Sequence, residues 1–220
     1  MEMSESTEAF GLYLILTNPV RGYENCADAA VKCGLRYLQL RMKNRPDDEV
    51  LRMARRLRGI TRGTDTRLIV NDSVAIAAEA EADGVHLGQD DMGLEEARAF
   101  WREDRIFGLS THNLDQARRA WSLHPDYIGV GPVFATTSKA VPDPELGLEA
   151  MGEMVRQSPV TTVALGGIFT ENLPDVLHAG AINFAVVRAV NRADDPEAAI
   201  LRLMEIWRAA HGERGETERG

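Results

Sequence analysis

The chain has 220 residues, 44% of them hydrophobic and 27% charged, and a formal net charge of −9 at pH 7. It can bury a full core, and its acidic balance excludes the broad basic surface with which general nucleic-acid or membrane-surface binders meet their partners. No apolar run approaches the roughly 20 residues needed to span a bilayer, and the acidic opening MEMSESTEAF lacks the basic and apolar regions of a signal peptide, so a cytoplasmic protein is expected, with neither nucleic acid nor membrane as a partner.

From the N-terminus, LYLIL (12–16) reads as a first strand. Cys26 and Cys33 follow, the only two cysteines; in a helix they would stand roughly 10 Å apart along the axis, too far to bridge, and they read as small apolar residues. YLQLR (37–41) is the second strand and leads into DDEVLRMARRLRGI, which has helical spacing. RLIVN (67–71) then precedes SVAIAAEAEA, GVHLG (84–88) precedes GLEEARAFW, and IFGLS (106–110) precedes NLDQARRAW. YIGVG (127–131) is followed by a long connection and LEAMGEMVRQ, TVALGG (162–167) by ENLPDVLHAG, and NFAVV (183–187) by EAAILRLMEIWRAA. About eight strands alternating with helices demand a parallel sheet, and in a chain of this length that is a single (β/α)8 barrel. The barrel is expected over residues 11–210, between a loose N-terminal tail (1–10) and a loose, polar C-terminal tail (211–220).

Barrel active sites form where the strands end, so the residues at and just after each run are the candidates. In LQLRMKN, Gln39, Arg41 and Lys43 stand at every second position and so share a face of an extended chain; two cations there call for an anion. Asn71 and Asp72 end the third run, Asp91 follows the fourth, Ser110 and His112 the fifth. Two carboxylates with open positions suit Mg²⁺, which keeps waters and completes its shell with substrate phosphates, although each aspartate could instead cap the next helix. A metal held by Asp72 and Asp91 and ringed by Arg41, Lys43 and Lys139 is a diphosphate constellation. The loop after the sixth run offers Thr136, Thr137, Ser138 and Lys139, and reads as a lid. Gly167 and the end of the eighth run suggest a second, phosphomonoester site built on backbone amides. His86, in mid-strand, reads as a packed and hydrogen-bonded core residue; His112 is either a rim contact or a helix cap.

In this order, QLRMK (39–43), ND (71–72), DGVHLGQDD (83–91), GLSTHN (108–113), YIGVGPVFATTSK (127–139), ALGGI (164–168) and AGAINFAVV (179–187) resemble the thiamine-phosphate synthase family over nearly the whole chain. The resemblance implies a barrel enzyme that joins a hydroxymethylpyrimidine diphosphate to a thiazole phosphate and releases diphosphate. Carried over by position, Gln39, Leu40, Arg41, Met42, Lys43, Asn71, Ser110 and Lys139 would contact the pyrimidine diphosphate, and Asp72 and Asp91 would hold Mg²⁺. Thr136, Thr137, Ser138, Gly167 and the backbone at Val187 and Arg188 would meet the thiazole phosphate. The scheme implied is early loss of diphosphate and capture of a pyrimidine cation by the thiazole nitrogen, with no general base. The sequence departs from the family's pattern at ATTSK, which lacks the usual proline, at GAIN in place of GADG, and at Arg188, where serine is common. Other readings are a metal-independent thiazole tautomerase of the same fold, for which a rim histidine such as His112 would matter, and a catalytically silent phosphate-ligand sensor.

Overall fold

Strands that are apolar on both faces need cover on both, and the computed structural model provides it. It describes residues 9–102, 104–136 and 143–217, with side chains as far as His211. Strands β1 (Leu12–Leu16), β2 (Tyr37–Leu40), β3 (Arg67–Asn71), β4 (Gly84–Leu87), β5 (Ile106–Thr111), β6 (Tyr127–Val130), β7 (Thr161–Leu165) and β8 (Asn183–Val186) pair in parallel with their sequence neighbours, and β8 returns to β1 to close the barrel. Around them run α1 (Tyr23–Lys32), α2 (Asp47–Thr61), α3 (Val74–Glu79), α4 (Leu94–Phe100), α5 (Leu114–Ser122), α6 (Gly147–Gln157), α7 (Leu173–His178), the short α8 (Arg188–Asn191) and α9 (Pro196–Thr217). None of the described helices is long and apolar enough to cross a membrane. Cys26 is buried in α1 and Cys33 caps that helix; both thiols are free.

The strand period of two sorts side chains into two cores. Outward residues such as Leu14, Leu38, Leu68, Val85, Ile128 and Phe184 join the helices in the larger one, whereas Tyr13, Ile15, Tyr37, Ile69, Tyr127, Val163 and Ala185 fill the inside of the barrel. Phe10 packs edge-on against Tyr37 with ring centroids 4.7 Å apart, so the last residue assigned to the N-terminal tail belongs to the inner core. At the other end α9 continues to Thr217, into the segment read as a loose tail; a helix already anchored by the buried Ile200, Leu203 and Met204 needs little apolar content to propagate another turn or two.

Two buried asparagines hold the seam where the barrel closes. Asn183 Oδ1 accepts from the backbone N–H groups of Phe10 and Gly11, at 2.8 and 3.0 Å. Near the other end of β1, Asn191 Oδ1 accepts from Thr17 N at 2.8 Å, and its amide nitrogen donates to the carbonyls of Ile15 and Val187. Gly11 has φ +78°, and a Cβ there would stand 2.9 Å from the Trp207 ring, so the chain enters β1 through a turn that glycine suits and α9 covers closely.

Candidate active site

The ends of β2, β3 and β4 build the acidic and basic part of the rim. Asp72 N donates to His86 O at 2.8 Å, which extends the β3 and β4 pairing by one residue, and Asp72 then turns with φ +67°, a left-handed conformation that aspartate tolerates better than most side chains. Ser73 is the cap of α3, its hydroxyl accepting from Ile76 N, so the Asp72 carboxylate is not used for capping and instead forms an ion pair with Lys43. Nor does Asp91 cap α4, which starts from Gly93 without a side-chain cap. Its Oδ2 accepts from Gly88 N at 2.6 Å, and a Cβ on Gly88 would stand 3.0 Å from that same oxygen, so the absence of a side chain at 88 lets the carboxylate lie against the backbone.

The two carboxyl groups are close enough for Asp72 to act on the Asp91 carboxyl. Burial pushes the Asp91 carboxyl above the usual carboxylate range and neighbouring Asp72 pushes it further, against the opposing pull of the Gly88 N–H and Lys43. Arg41 is half-buried; burial lowers its guanidinium pKa while Asp72 opposes the change. Facing carboxylates of this kind are relieved by a shared cation, and one or two carboxylates with room for water and phosphate is what Mg²⁺ takes, so Asp72 and Asp91 fit that ion. Among the described residues no group of three or more His, Cys, Asp or Glu forms an all-protein metal cage.

Two of the residues carried over from the resemblance turn their side chains away from the rim. Leu40 is 1% exposed and points into the outer core, and Met42 packs against that core as well, because alternation along β2 sends their side chains toward the helices; only their main chain remains for the site. Gln39 and Ser110 point inward and end a buried chain of polar groups. Gln39 Nε2 donates to Tyr13 Oη (3.1 Å), Tyr13 Oη lies 2.8 Å from Tyr127 Oη, Tyr127 Oη lies 3.0 Å from His86 Nδ1, and His86 Nε2 lies 2.9 Å from Ser110 Oγ. His86 is buried and hydrogen-bonded, as the sequence suggests, but Tyr13 and Tyr127 escape a reading confined to strand ends. A signal for Tyr127 was present: IFGLS and YIGVG place Gly108 directly opposite Tyr127, and a Cβ on Gly108 would fall 2.1 Å from its ring.

Across the barrel, the loop after β6 lies along the loop after β7. Val133 N donates to Leu165 O and Phe134 N to Gly166 O, at 2.8 and 3.0 Å. Gly167, at φ +66°, has no room for a Cβ because Phe134 and Ala135 O would be 2.8 and 2.9 Å away, so packing between the loops already demands glycine there. Val187 precedes the first turn of α8. The Arg188 guanidinium lies over the Phe169 ring, 5.1 Å from its centroid, which directs this side chain toward the loop that carries Gly167. Thr136 is half-buried; Thr137, Ser138 and Lys139 lie outside the described residues. His112 is held at Nδ1 by Gly131 O (2.6 Å), and its Nε2 is 3.5 Å from Asp143, so both ring nitrogens are already engaged by the protein.

The family model described as thiamine monophosphate synthase matches residues 12–190. A thiamine-phosphate synthase of Anaeromyxobacter dehalogenans is 41% identical over 94% of this chain and 92% of its own length, and one of Archaeoglobus fulgidus is 35% identical over 94% and 97%. The solved structure of thiamine phosphate pyrophosphorylase from Pyrococcus furiosus superposes with a TM-score of 0.84 at 32% identity, covering 92% of this chain and 97% of that one. A 3-hexulose-6-phosphate synthase structure shares the fold alone, with a TM-score of 0.65 at 17% identity. With matches that run through all eight strands, the chain belongs to the thiamine monophosphate synthase family.

Proposed function

We propose that the protein is a Mg²⁺-dependent transferase that condenses 4-amino-2-methyl-5-(diphosphooxymethyl)pyrimidine with a thiazole phosphate to give thiamine phosphate and diphosphate. The observation that carries the site assignment is the convergence of Arg41, Lys43, Asp72 and Asp91 on one rim, with the two carboxyl groups facing each other. Arg41 and Lys43 hold the diphosphate and stabilise the charge that grows on it as the carbon–oxygen bond breaks, the kind of preorganised electrostatic assistance worth most in a site with little water. Asp72 and Asp91 would hold the Mg²⁺, which when bound supplies positive charge to the leaving group. Gln39, Asn71 and Ser110 orient the pyrimidine diphosphate, together with Lys139 and the main chain of Leu40 and Met42. The thiazole phosphate is held by backbone amides at Gly167, Val187 and Arg188, with the Arg188 guanidinium adding charge, and the hydroxyls of Thr136, Thr137 and Ser138 would contribute hydrogen bonds to it.

The reading is tested by incubating the protein with both precursors, with and without Mg²⁺, and following diphosphate and thiamine phosphate. Formation of both products only with metal is expected; an isomerised thiazole without diphosphate release would point to a tautomerase, and ligand binding without turnover to a sensor.

A further inference from the structure

The buried chain from Gln39 to Ser110 crosses the barrel through residues of five strands, β2, β1, β6, β4 and β5, and with the Gln39 amide nitrogen turned toward Tyr13 its donors and acceptors balance in one direction only. Gln39 Nε2 can only donate, so the Tyr13 oxygen is an acceptor there, and the Tyr13 hydrogen goes to its other contact, the Tyr127 oxygen. The Tyr127 hydrogen then goes to His86 Nδ1. That leaves the ring proton of a neutral His86 on Nε2, donating to Ser110 Oγ, and the Ser110 hydrogen free for a ligand. With the direction reversed, the Tyr13 oxygen would receive two donors and its own hydrogen would have no acceptor in the chain; an imidazolium at 86 would do the same to Tyr127. Burial pushes both phenols well above their ordinary pKa, so neither becomes a phenolate acceptor.

We infer that Tyr13, Tyr127 and His86 are positioning residues: a one-way hydrogen-bond relay that fixes His86 as the Nε2–H tautomer and thereby presents the Ser110 hydroxyl as a hydrogen donor to an acceptor atom of the pyrimidine diphosphate. The seat for this relay is built into the strands. Tyr127 lies across Gly108, where a Cβ would fall 2.1 Å from its ring. The chain also ties Ser110 to Gln39, on the other side of the barrel, so two groups expected on one substrate are oriented together.

The ligand side of this inference rests on the synthase reading, whereas the tautomer side does not, and the experiment separates them. Histidine ¹⁵N NMR of the whole protein, with His86 assigned by the signal lost in His86→Asn, is expected to show a single neutral Nε2–H tautomer at neutral pH; an Nδ1–H ring or an imidazolium would overturn the relay. Tyr127→Phe keeps the ring over Gly108 and removes one link. It should give mixed His86 tautomers and raise the KM for the pyrimidine diphosphate about three- to tenfold, as expected for one misdirected hydrogen bond, with the KM for the thiazole phosphate unchanged. An unchanged tautomer, or a changed tautomer with an unchanged KM, would also overturn it. Tyr13→Phe breaks the preceding link and gives the same readouts if Tyr127→Phe does not fold. Wild-type protein that makes no thiamine phosphate would sink the synthase reading and leave the tautomer measurement to decide the relay.

Discussion

The two ends of the barrel treat charge in opposite ways. At the N-terminal end, Asp83 is saturated: Oδ2 accepts from Arg58 (3.0 Å) and from Leu68 N (2.8 Å), and Oδ1 is 3.6 Å from Arg67. A cleft of about 430 Å³ opens there between Arg98, Trp101, Arg102 and Arg105, yet each arginine has a partner in the protein, Arg98 the carbonyls of Leu123 and His124, Arg102 that of Ala99, and Arg105 Ala82 O and the Trp101 ring. At the C-terminal rim, the Asp72 and Asp91 carboxyl groups lie together beside Lys43 and Arg41, and burial and mutual repulsion push the Asp91 carboxyl up. The paired charges at one end are structural, and the repelling carboxyl groups at the other are what a ligand carrying metal and phosphate would complete.

The widest separation should come from Asp91→Asn. Turnover at limiting Mg²⁺ is expected to fall at least about 100-fold, while thermal unfolding of the apo protein stays within about 1 kcal/mol of the parent, since an amide keeps the Gly88 contact and loses the repulsion; undiminished turnover would remove Asp91 from the metal site. Lys43→Ala comes next, weakening transition-state binding of the pyrimidine diphosphate by roughly 2–4 kcal/mol with little change for the thiazole phosphate. Equal losses for both substrates, measured as kcat/KM, would mean that the rim had merely been loosened. Asp83→Ala is the mirror experiment: denaturant unfolding should show a loss of about 2–3 kcal/mol, because two arginines and a backbone N–H lose their partner, with kcat near the parental value. If kcat collapsed while stability held, the contrast between the ends would be wrong. The smallest effect is expected from Arg188→Ser, a loss of about 1–2 kcal/mol in thiazole phosphate affinity that shrinks as salt is raised. Identical affinities at every salt concentration would leave the guanidinium with its contact to Phe169 alone.

Most of the fold was legible because the strands are covered on both faces and therefore appear as apolar runs; each predicted run overlaps an observed strand to within a residue or two at its ends. What escaped was short or depended on contacts distant in sequence. The four residues of α8 are too few for any period to show, and Phe10 is ordered by Asn183 and Tyr37, which no local pattern reveals. At the candidate site, strand ends led directly to Arg41, Lys43, Asp72 and Asp91, whose chemistry is written in residue type. The orientation of Leu40 follows from alternation: it stands between the inward Gln39 and the rim residue Arg41 and so faces the helices. Tyr13 and Tyr127 lie below the rim, where a tyrosine in a strand looks like ordinary β-sheet composition until the glycine across from it is noticed.

The asparagine seam bears on the order in which the chain can fold. Gly11 and Asn183 are 172 residues apart, and Ile15 and Asn191 are 176, so the contacts that close the ring are among the least local in the molecule and carry a large loop-closure entropy. During synthesis β1 exposes an unpaired edge until β8 has emerged, and that edge is the place where another chain could pair wrongly. A circular permutant that joins the present termini and starts between two other strands would turn this longest-range closure into a nearly local one.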